Sequence, residues 1–381
     1  MVWNVRDLSR PPRTFPAPGR KAEGVRGLFY EGLPYRGRPT RVFAWYGAPR
    51  RRGRGKLPAV VLEHGGGGTA FPQWVRMWNE RGYAAIAMDM EGQAPTAGDP
   101  GARERHRWAG PANQCFGDIR EPVGDQWMNH AVADVVLANS LLRSFPEVDA
   151  RRIGMTGISW GAVVIEVAAG IDKRFGFAAP VYGCGFLEDA DNYFADIWSK
   201  MTREDGEKCS RLWDPARYLG RTTLPMLWVT GSNEDHFPLH ILRRSYRLPR
   251  GPRVLCVRVR MWHGHEPGWE PGEIFAFADA VVNDGVPLPE VTGRGRNARR
   301  AWATYTSATP VVRAELNFTK GRGKWPVRRW ETRPADLDAK AGRASAVVPV
   351  CATAWYFNLV DDRGLLVSTE HAAAGRRAGR A

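Results

Sequence analysis

The run Arg152-Ile-Gly-Met-Thr-Gly157-Ile-Ser159-Trp-Gly161-Ala-Val-Val-Ile165 decides the fold. Its first half reads as a short buried strand, and its last residues, small and apolar, read as the start of a buried helix. Between them stands G-x-S-x-G. Glycines at 157 and 161 permit a strand-to-helix turn too tight for side chains, which leaves the Ser159 hydroxyl exposed above a sheet.

On either side of this turn, short apolar runs alternate with amphipathic segments. Strands are expected at Ala59–Glu63, Ala84–Asp89, Arg152–Gly157, Gly176–Val181, Pro225–Thr230 and Val254–Arg260. Helices are expected at Phe71–Arg81, Gln126–Ser144, Trp160–Ala169, His240–Tyr246 and Pro271–Asn283. Strands joined by crossover helices make a doubly wound, mostly parallel sheet, so the fold class is α/β. Val25–Tyr30 and Arg41–Tyr46 read as leading antiparallel strands.

An exposed serine becomes a nucleophile only beside a base, with a third group to orient the base. The strand at Pro225 runs into Gly231-Ser-Asn-Glu234-Asp235-His236, and the strand at Val254 into Met261-Trp-His263-Gly-His265-Glu266. Glu234 or Asp235 is the expected acid, and the two stay open. His265, between Gly264 and Glu266, is the expected base, with His263 bracing the loop and His236 structural or substrate-facing. Upstream, His64-Gly-Gly-Gly-Gly68 follows a buried strand. Successive glycines let backbone N–H groups approach an oxyanion, so Gly66 or Gly67 is expected to donate together with the N–H of Trp160. The loop lacks the Gly-Lys-Ser/Thr of a phosphate cradle.

At these residues the chain resembles the α/β-hydrolase superfamily. Within it, the chain is most similar to the branch holding acetyl xylan esterases, dienelactone-hydrolase-like esterases and the hydrolase domains of prolyl oligopeptidases. Acetyl xylan esterases carry the blocks R-G-Q, G-x-S-Q-G and H-E. The corresponding residues here are Glu91-Gly92-Gln93, Gly157-Ile158-Ser159-Trp160-Gly161 and His265-Glu266, with Glu91 in place of Arg and Trp160 in place of Gln. The resemblance implies a serine carboxylesterase for small acyl esters, plausibly of carbohydrates, that needs no metal or organic cofactor. The alternatives are a peptidase or amidase on the same triad and a catalytically silent binding protein. An oligopeptidase would be expected to carry a propeller ahead of Ala59, and the residues there are too few for even two blades of about 40 residues.

Two stretches break the alternation, 91–124 and 186–222, each following a strand's C-terminal end, where the crevice of an open α/β sheet lies. They read as substrate-shaping insertions. Gln93, Trp108, Trp127, Phe186 and Trp198, with His236, are the candidate substrate contacts, since flat aromatic faces suit sugar rings. The expected boundaries are an extended arm over 1–22, a catalytic domain over 23–285, a C-terminal β-sandwich-like domain over 293–372 and a disordered tail over 373–381. The sandwich rests on six short β-like runs between Trp302 and Thr369 after a Pro-rich linker.

The chain has 381 residues, 43% of them hydrophobic and 25% charged, and a net charge of +15. That composition excludes disorder and collagen, and no apolar run reaches the roughly 20 residues of a membrane helix. The charge is divided: residues 1–56 hold 14 Lys/Arg against 3 Asp/Glu, 57–291 hold 24 against 30, and 292–381 hold 17 against 7. A nucleic-acid enzyme would place positive charge around its cleft, so no nucleic-acid partner is expected, and the acidic middle favours a neutral or cationic substrate. Five cysteines without C-x-x-C or metal-ligand spacing form no disulfide framework. The N-terminus lacks the apolar core of a signal peptide, so the compartment stays open, as does self-association into a homo-oligomer.

Overall fold

The strand Leu57-Pro-Ala-Val-Val-Leu-Glu63 is buried from Pro58 onward, as is the reach from Ile153 to Ile158, and these two strands are the middle of the sheet. The computed structural model describes residues 2–49 and 55–373. A short helix α1 (Val5–Leu8) precedes the antiparallel strands β1 (Thr14–Ala22), β2 (Val25–Glu31) and β3 (Arg41–Gly47). Then follow β4 (Leu57–Glu63), α2 (Pro72–Glu80), β5 (Ala84–Met88) and a separate hairpin of β6 (Gln93–Thr96) and β7 (Asp99–Arg105). Next come α3 (Trp127–Ser144), β8 (Val148–Ile158), α4 (Trp160–Ile171) and β9 (Ala178–Val181). Three helices, α5 (Tyr193–Ser199), α6 (Arg203–Trp213) and α7 (Ala216–Leu219), lead to β10 (Met226–Gly231), α8 (Leu239–Tyr246), β11 (Arg253–Arg258), α9 (His265–Trp269) and α10 (Gly272–Val282).

Nine strands form one sheet in the order β1-β2-β3-β5-β4-β8-β9-β10-β11, parallel from β5 to β11. The order reverses beside β4 and β8, so the loops after Glu63 and Ile158 open into one crevice. This is the α/β-hydrolase arrangement. The six expected parallel strands and five expected helices all form, within a few residues at their ends.

Residues 1–22 are not a free arm. Trp3 is buried, its indole N–H donates to the Asn129 carbonyl at 2.9 Å, and its ring lies 5.8 Å from that of Trp213. β1 contains Pro16 and Pro18, which read as non-strand, but it is the sheet's edge, where a missing N–H costs no ladder bond. Its register with β2 slips between Pro16 and Lys21.

The C-terminal part is all-β. A four-stranded sheet runs β12 (Glu290–Asn297), β13 (Arg300–Thr306), β17 (Arg343–Val347), β16 (Asp336–Asp338). A second sheet runs β15 (Trp330–Pro334), β14 (Val311–Thr319), β18 (Ala354–Asp361), β19 (Leu366–Ser368), with β20 (Ala372–Ala373) on β18. β12 begins inside the stretch expected to be linker. One of the six expected β-like runs, Trp325–Thr332, starts as a 3₁₀ turn, Trp325–Val327, because Pro326 cannot donate to a ladder. The expected disordered tail lies, apart from Ala373, outside the described residues.

This module closes the open edge of the large sheet. Val257 of β11 donates its backbone N–H to Ser368 Oγ at 2.8 Å, while Asn358 Nδ2 donates to the Val257 carbonyl at 3.2 Å. Ser368 and Asn358 bond each other at 2.6 Å, so the edge strand's buried polar groups are matched by side chains rather than by a tenth strand.

Candidate active site

Ser159 stands at φ 57°, ψ −118°, a strained conformation for a residue with a side chain. The turn is held by close approach. A Cβ on Gly157 would lie 2.4 Å from the Gly161 carbonyl oxygen, and one on Gly161 would lie 2.3 Å from that of Glu63. Helix α4 starts at Trp160, so this first N–H has no carbonyl four residues back and is available to a substrate oxygen.

The Ser159 hydroxyl lies 2.9 Å from His263 Nε2, and His263 Nδ1 lies 2.8 Å and 2.9 Å from the two Glu234 oxygens. The structure therefore brings together Ser159, His263 and Glu234, and not His265 or Asp235. Tyr182 holds the histidine loop: its ring lies 4.8 Å from the His263 ring and its hydroxyl donates to the Trp262 carbonyl at 2.7 Å. Glu234 is buried, which by itself would raise its pKa. Hydrogen bonding to His236 and His263, with the backbone N–H of His236 at 2.8 Å, outweighs burial and brings it to about 2. It is thus a fixed negative charge behind the imidazole. Asp235 is exposed and instead pairs with His236 Nδ1 at 2.6 Å.

His265, the base expected from Gly-His-Glu, faces the other way. It opens α9, and its Nε2 accepts the Gly65 N–H at 2.9 Å beneath the glycine loop, its ring 4.9 Å from Phe71. Burial lowers its pKa to about 4, so it is a neutral acceptor. His64 is a second brace. Its Nε2 accepts the Met90 N–H at 3.1 Å and its Nδ1 donates to the Gly65 carbonyl at 2.7 Å, with its pKa pushed by burial to about 4. A Cβ on Gly68 would lie 2.5 Å from His265 Nε2, so the loop needs glycine there.

Above Ser159 is a cavity of about 380 Å³ lined by Gly66, Gly67, Glu91, Asn113, Cys115, Trp160, Tyr193, His236 and His263. Gly66 and Gly67 both line the cavity, so either backbone N–H is placed to donate into it. Glu91 accepts the Asn113 N–H at 3.1 Å, a bond that braces the first insertion from within. Arg103 adds a bond to the Gly68 carbonyl at 2.7 Å. The second insertion is fastened to the acid loop by Asn192, whose Nδ2 donates to the carbonyls of Asp235 and His236.

Of the expected substrate contacts only His236 lines this cavity. Trp127 is buried behind Trp160, ring centroids 5.5 Å apart, with its N–H on the Met90 carbonyl. Trp198 packs on Phe116 and Phe194, one layer further out. Trp108 stacks under the Arg41 guanidinium and Phe186 under that of Arg244. Gln93 gives its backbone N–H to Asp89. These aromatics are engaged in packing contacts of their own and do not face the cavity. Asn113 and Cys115 were missed because nothing in their sequence neighbourhood marks them; the left-handed backbone at Cys115 and Phe116 turns them inward.

Among the described residues, Glu234, Asp235, His236 and His263 are the group whose potential metal-donor atoms lie within 4.8 Å of one another. Their bonds to one another and to Ser159 already occupy those donors. No helix of the described residues is long and apolar enough to cross a membrane.

Fold and site together define a serine hydrolase of the α/β-hydrolase class. A family model of acetyl xylan esterases matches residues 24–193, which include the glycine loop, Glu91-Gly92-Gln93 and the turn at Ser159 but end before Glu234 and His263. Among solved structures, an acetyl xylan esterase from Paenibacillus sp. R4 is 22% identical, with a TM-score of 0.58 over 73% of this chain and 92% of that one. Acetyl xylan esterase 1 from Thermoanaerobacterium sp. JW/SL YS485 is 19% identical, with a TM-score of 0.54 over 69% and 87%. An acylaminoacyl peptidase from Pyrococcus horikoshii, 17% identical, has a TM-score of 0.51 over 69% of this chain and 43% of its own. At these identities the likeness speaks for a shared fold.

Proposed function

We propose that the chain is a serine carboxylesterase that removes acetyl or another short acyl group from a carbohydrate or similar alcohol. The observation that carries this is the unbroken line Ser159–His263–Glu234 under the glycine loop. His263 takes the proton of Ser159 as the oxygen attacks the ester carbonyl, and Glu234 holds the imidazole with Nδ1–H inward and stabilises its charged form. The N–H groups of Trp160 and Gly66 receive the oxyanion. His263 then protonates the departing alcohol, and a water activated by the same nitrogen cleaves the acyl-enzyme.

A short acyl group is favoured by the site's floor. Trp160 is packed edge-on by Phe116, Trp127 and Phe194, at centroid distances of 5.2, 5.5 and 5.7 Å, and cannot retreat to admit a long chain. The test is hydrolysis of p-nitrophenyl acetate, butyrate and octanoate. Activity should fall with chain length and vanish in Ser159→Ala with the fold intact. Residual turnover by that variant, or preference for aminoacyl amides over all esters, would overturn the proposal.

A further inference from the structure

A second, larger hollow of about 810 Å³ shares His236 and His263 with the cavity over Ser159. One wall is the end of the histidine loop, Arg260-Met-Trp262; the other is the C-terminal module, Pro326 to Arg329. The two are locked in register, since Asn233 Nδ2 donates to the carbonyls of Pro326 and Arg328 at 2.8 and 2.7 Å, and Arg260 donates to that of Trp330 at 3.0 Å.

Chemistry decides which part of a substrate this groove serves. His263 must hand its proton to the leaving oxygen, so the alcohol departs on the histidine's side of Ser159, where the groove begins. Its walls are unusual in two respects. Trp262 is 83% exposed and Val327 79% exposed, which puts an aromatic face on one wall and an apolar face on the other. Beside them stand three guanidinium groups. Arg328 Cζ sits 3.9 Å from the centre of the Trp325 ring with its Nε on the Gly323 carbonyl, Arg260 has one nitrogen on the Trp330 carbonyl, and Arg329 is exposed. Of the acids nearby, Glu234 is engaged with His263, Asp235 with His236 and Glu331 with Lys320, while Asp191 lies within electrostatic reach of Arg328.

We infer that this groove binds the leaving-group side of the substrate and selects an acylated carbohydrate bearing carboxylates, a uronic-acid-containing oligosaccharide. A sugar ring would stack on Trp262, and its carboxylate would meet the guanidinium fork, a geometry arginine matches with paired hydrogen bonds. The C-terminal module is then a specificity element. This inference rests on the esterase reading above.

The experiment measures acetate release by the full chain from O-acetylated galacturonan oligosaccharides and from neutral O-acetylated xylo-oligosaccharides of equal length. The acidic substrate should have the lower KM, by about tenfold, the worth of one good charge-assisted contact. Arg329→Gln should erase that KM difference, and so should about 1 M NaCl, where screening acts within about 3 Å. Trp262→Ala should raise KM for both substrates. Equal KM values for acidic and neutral substrates, unaltered by Arg329→Gln, would overturn the groove assignment while leaving the esterase intact. Failure to release acetate from any ester, p-nitrophenyl acetate included, would overturn the esterase reading itself.

Discussion

Two histidines two residues apart, His263 and His265, have different work in this site, and a pair of alanine variants separates them. His263→Ala removes the only side chain within hydrogen-bond reach of Ser159 Oγ among the described residues, so general-base catalysis is lost. Deletion of such a group in a triad costs about 10⁴-fold or more in kcat. His265→Ala removes the acceptor for the Gly65 N–H and a buttress of the glycine loop. A buried donor left unpaired costs about 1–3 kcal/mol. Even if all of that appeared in the transition state, kcat would fall by at most roughly 150-fold, since each 1.36 kcal/mol is tenfold. Some of it will appear instead as a lower Tm. The assay is burst and steady-state release of p-nitrophenol from the acetate, with a fluorophosphonate titration to count competent sites and circular dichroism to confirm the fold. The reasoning is refuted if His265→Ala falls as far as His263→Ala, or if His263→Ala keeps within about 100-fold of the parent.

Glu234→Gln should lower kcat by about 10³- to 10⁴-fold by releasing the imidazole tautomer, whereas Asp235→Asn, which alters only the exposed pair with His236, should stay within about threefold; comparable losses would move the acid. Glu166, on α4, is fully buried with neither carboxyl oxygen hydrogen-bonded, and burial, with the nearby charge of Asp214, holds its pKa well above the usual range. Its proton stays on in the folded chain while the unfolded chain loses it near pH 4.3, so stability is full below that pH. It then declines by about 1.4 kcal/mol per pH unit until the folded pKa is reached. Glu166→Gln removes that slope. The variant's advantage in urea unfolding should widen as the pH rises above about 5, and a constant margin would show that the carboxyl is already charged. Ser368→Val strands the Val257 N–H at the closed sheet edge and should cost about 1–3 kcal/mol with kcat unchanged; an unaltered Cm would mean that water reaches that edge.

The strand-turn-helix at Ser159 could be read from its sequence because the physics there is local: two glycines, a serine and a small apolar helix start admit one geometry. The choice between His263 and His265 could not. It depends on how the chain leaves β11, where Arg260 takes a left-handed φ of 56° and Tyr182, from the loop after β9, closes on the His263 ring. Tyr182 is far from His263 in sequence. The acid was legible as far as Glu234 or Asp235. The decision needed the backbone N–H of His236, which reaches back to Glu234 and fixes its carboxylate inward. The N-terminal strand was hidden by its prolines, which argue against a central strand yet are harmless at an edge. The aromatic insertions misled for a further reason: Trp, the largest side chain, fills a small core as well as it stacks on a sugar, and only the position of Trp127 behind Trp160 tells which.

Charge taken by segment carried an assumption that the fold breaks. The acidic balance of residues 57–291 favours a neutral or cationic substrate only if that segment alone lines the site. The groove beside His263 instead has one wall from the basic C-terminal module, so its charge is set where two segments meet. Asn233 makes this junction mechanical as well as electrostatic. It neighbours Glu234 in sequence and holds the module's backbone at Pro326 and Arg328. The loop that orients the catalytic imidazole and the wall that carries Arg328 and Arg329 are therefore one connected unit. Any displacement of the module against β11 must pull on the acid loop through Asn233 and on the histidine loop through Arg260.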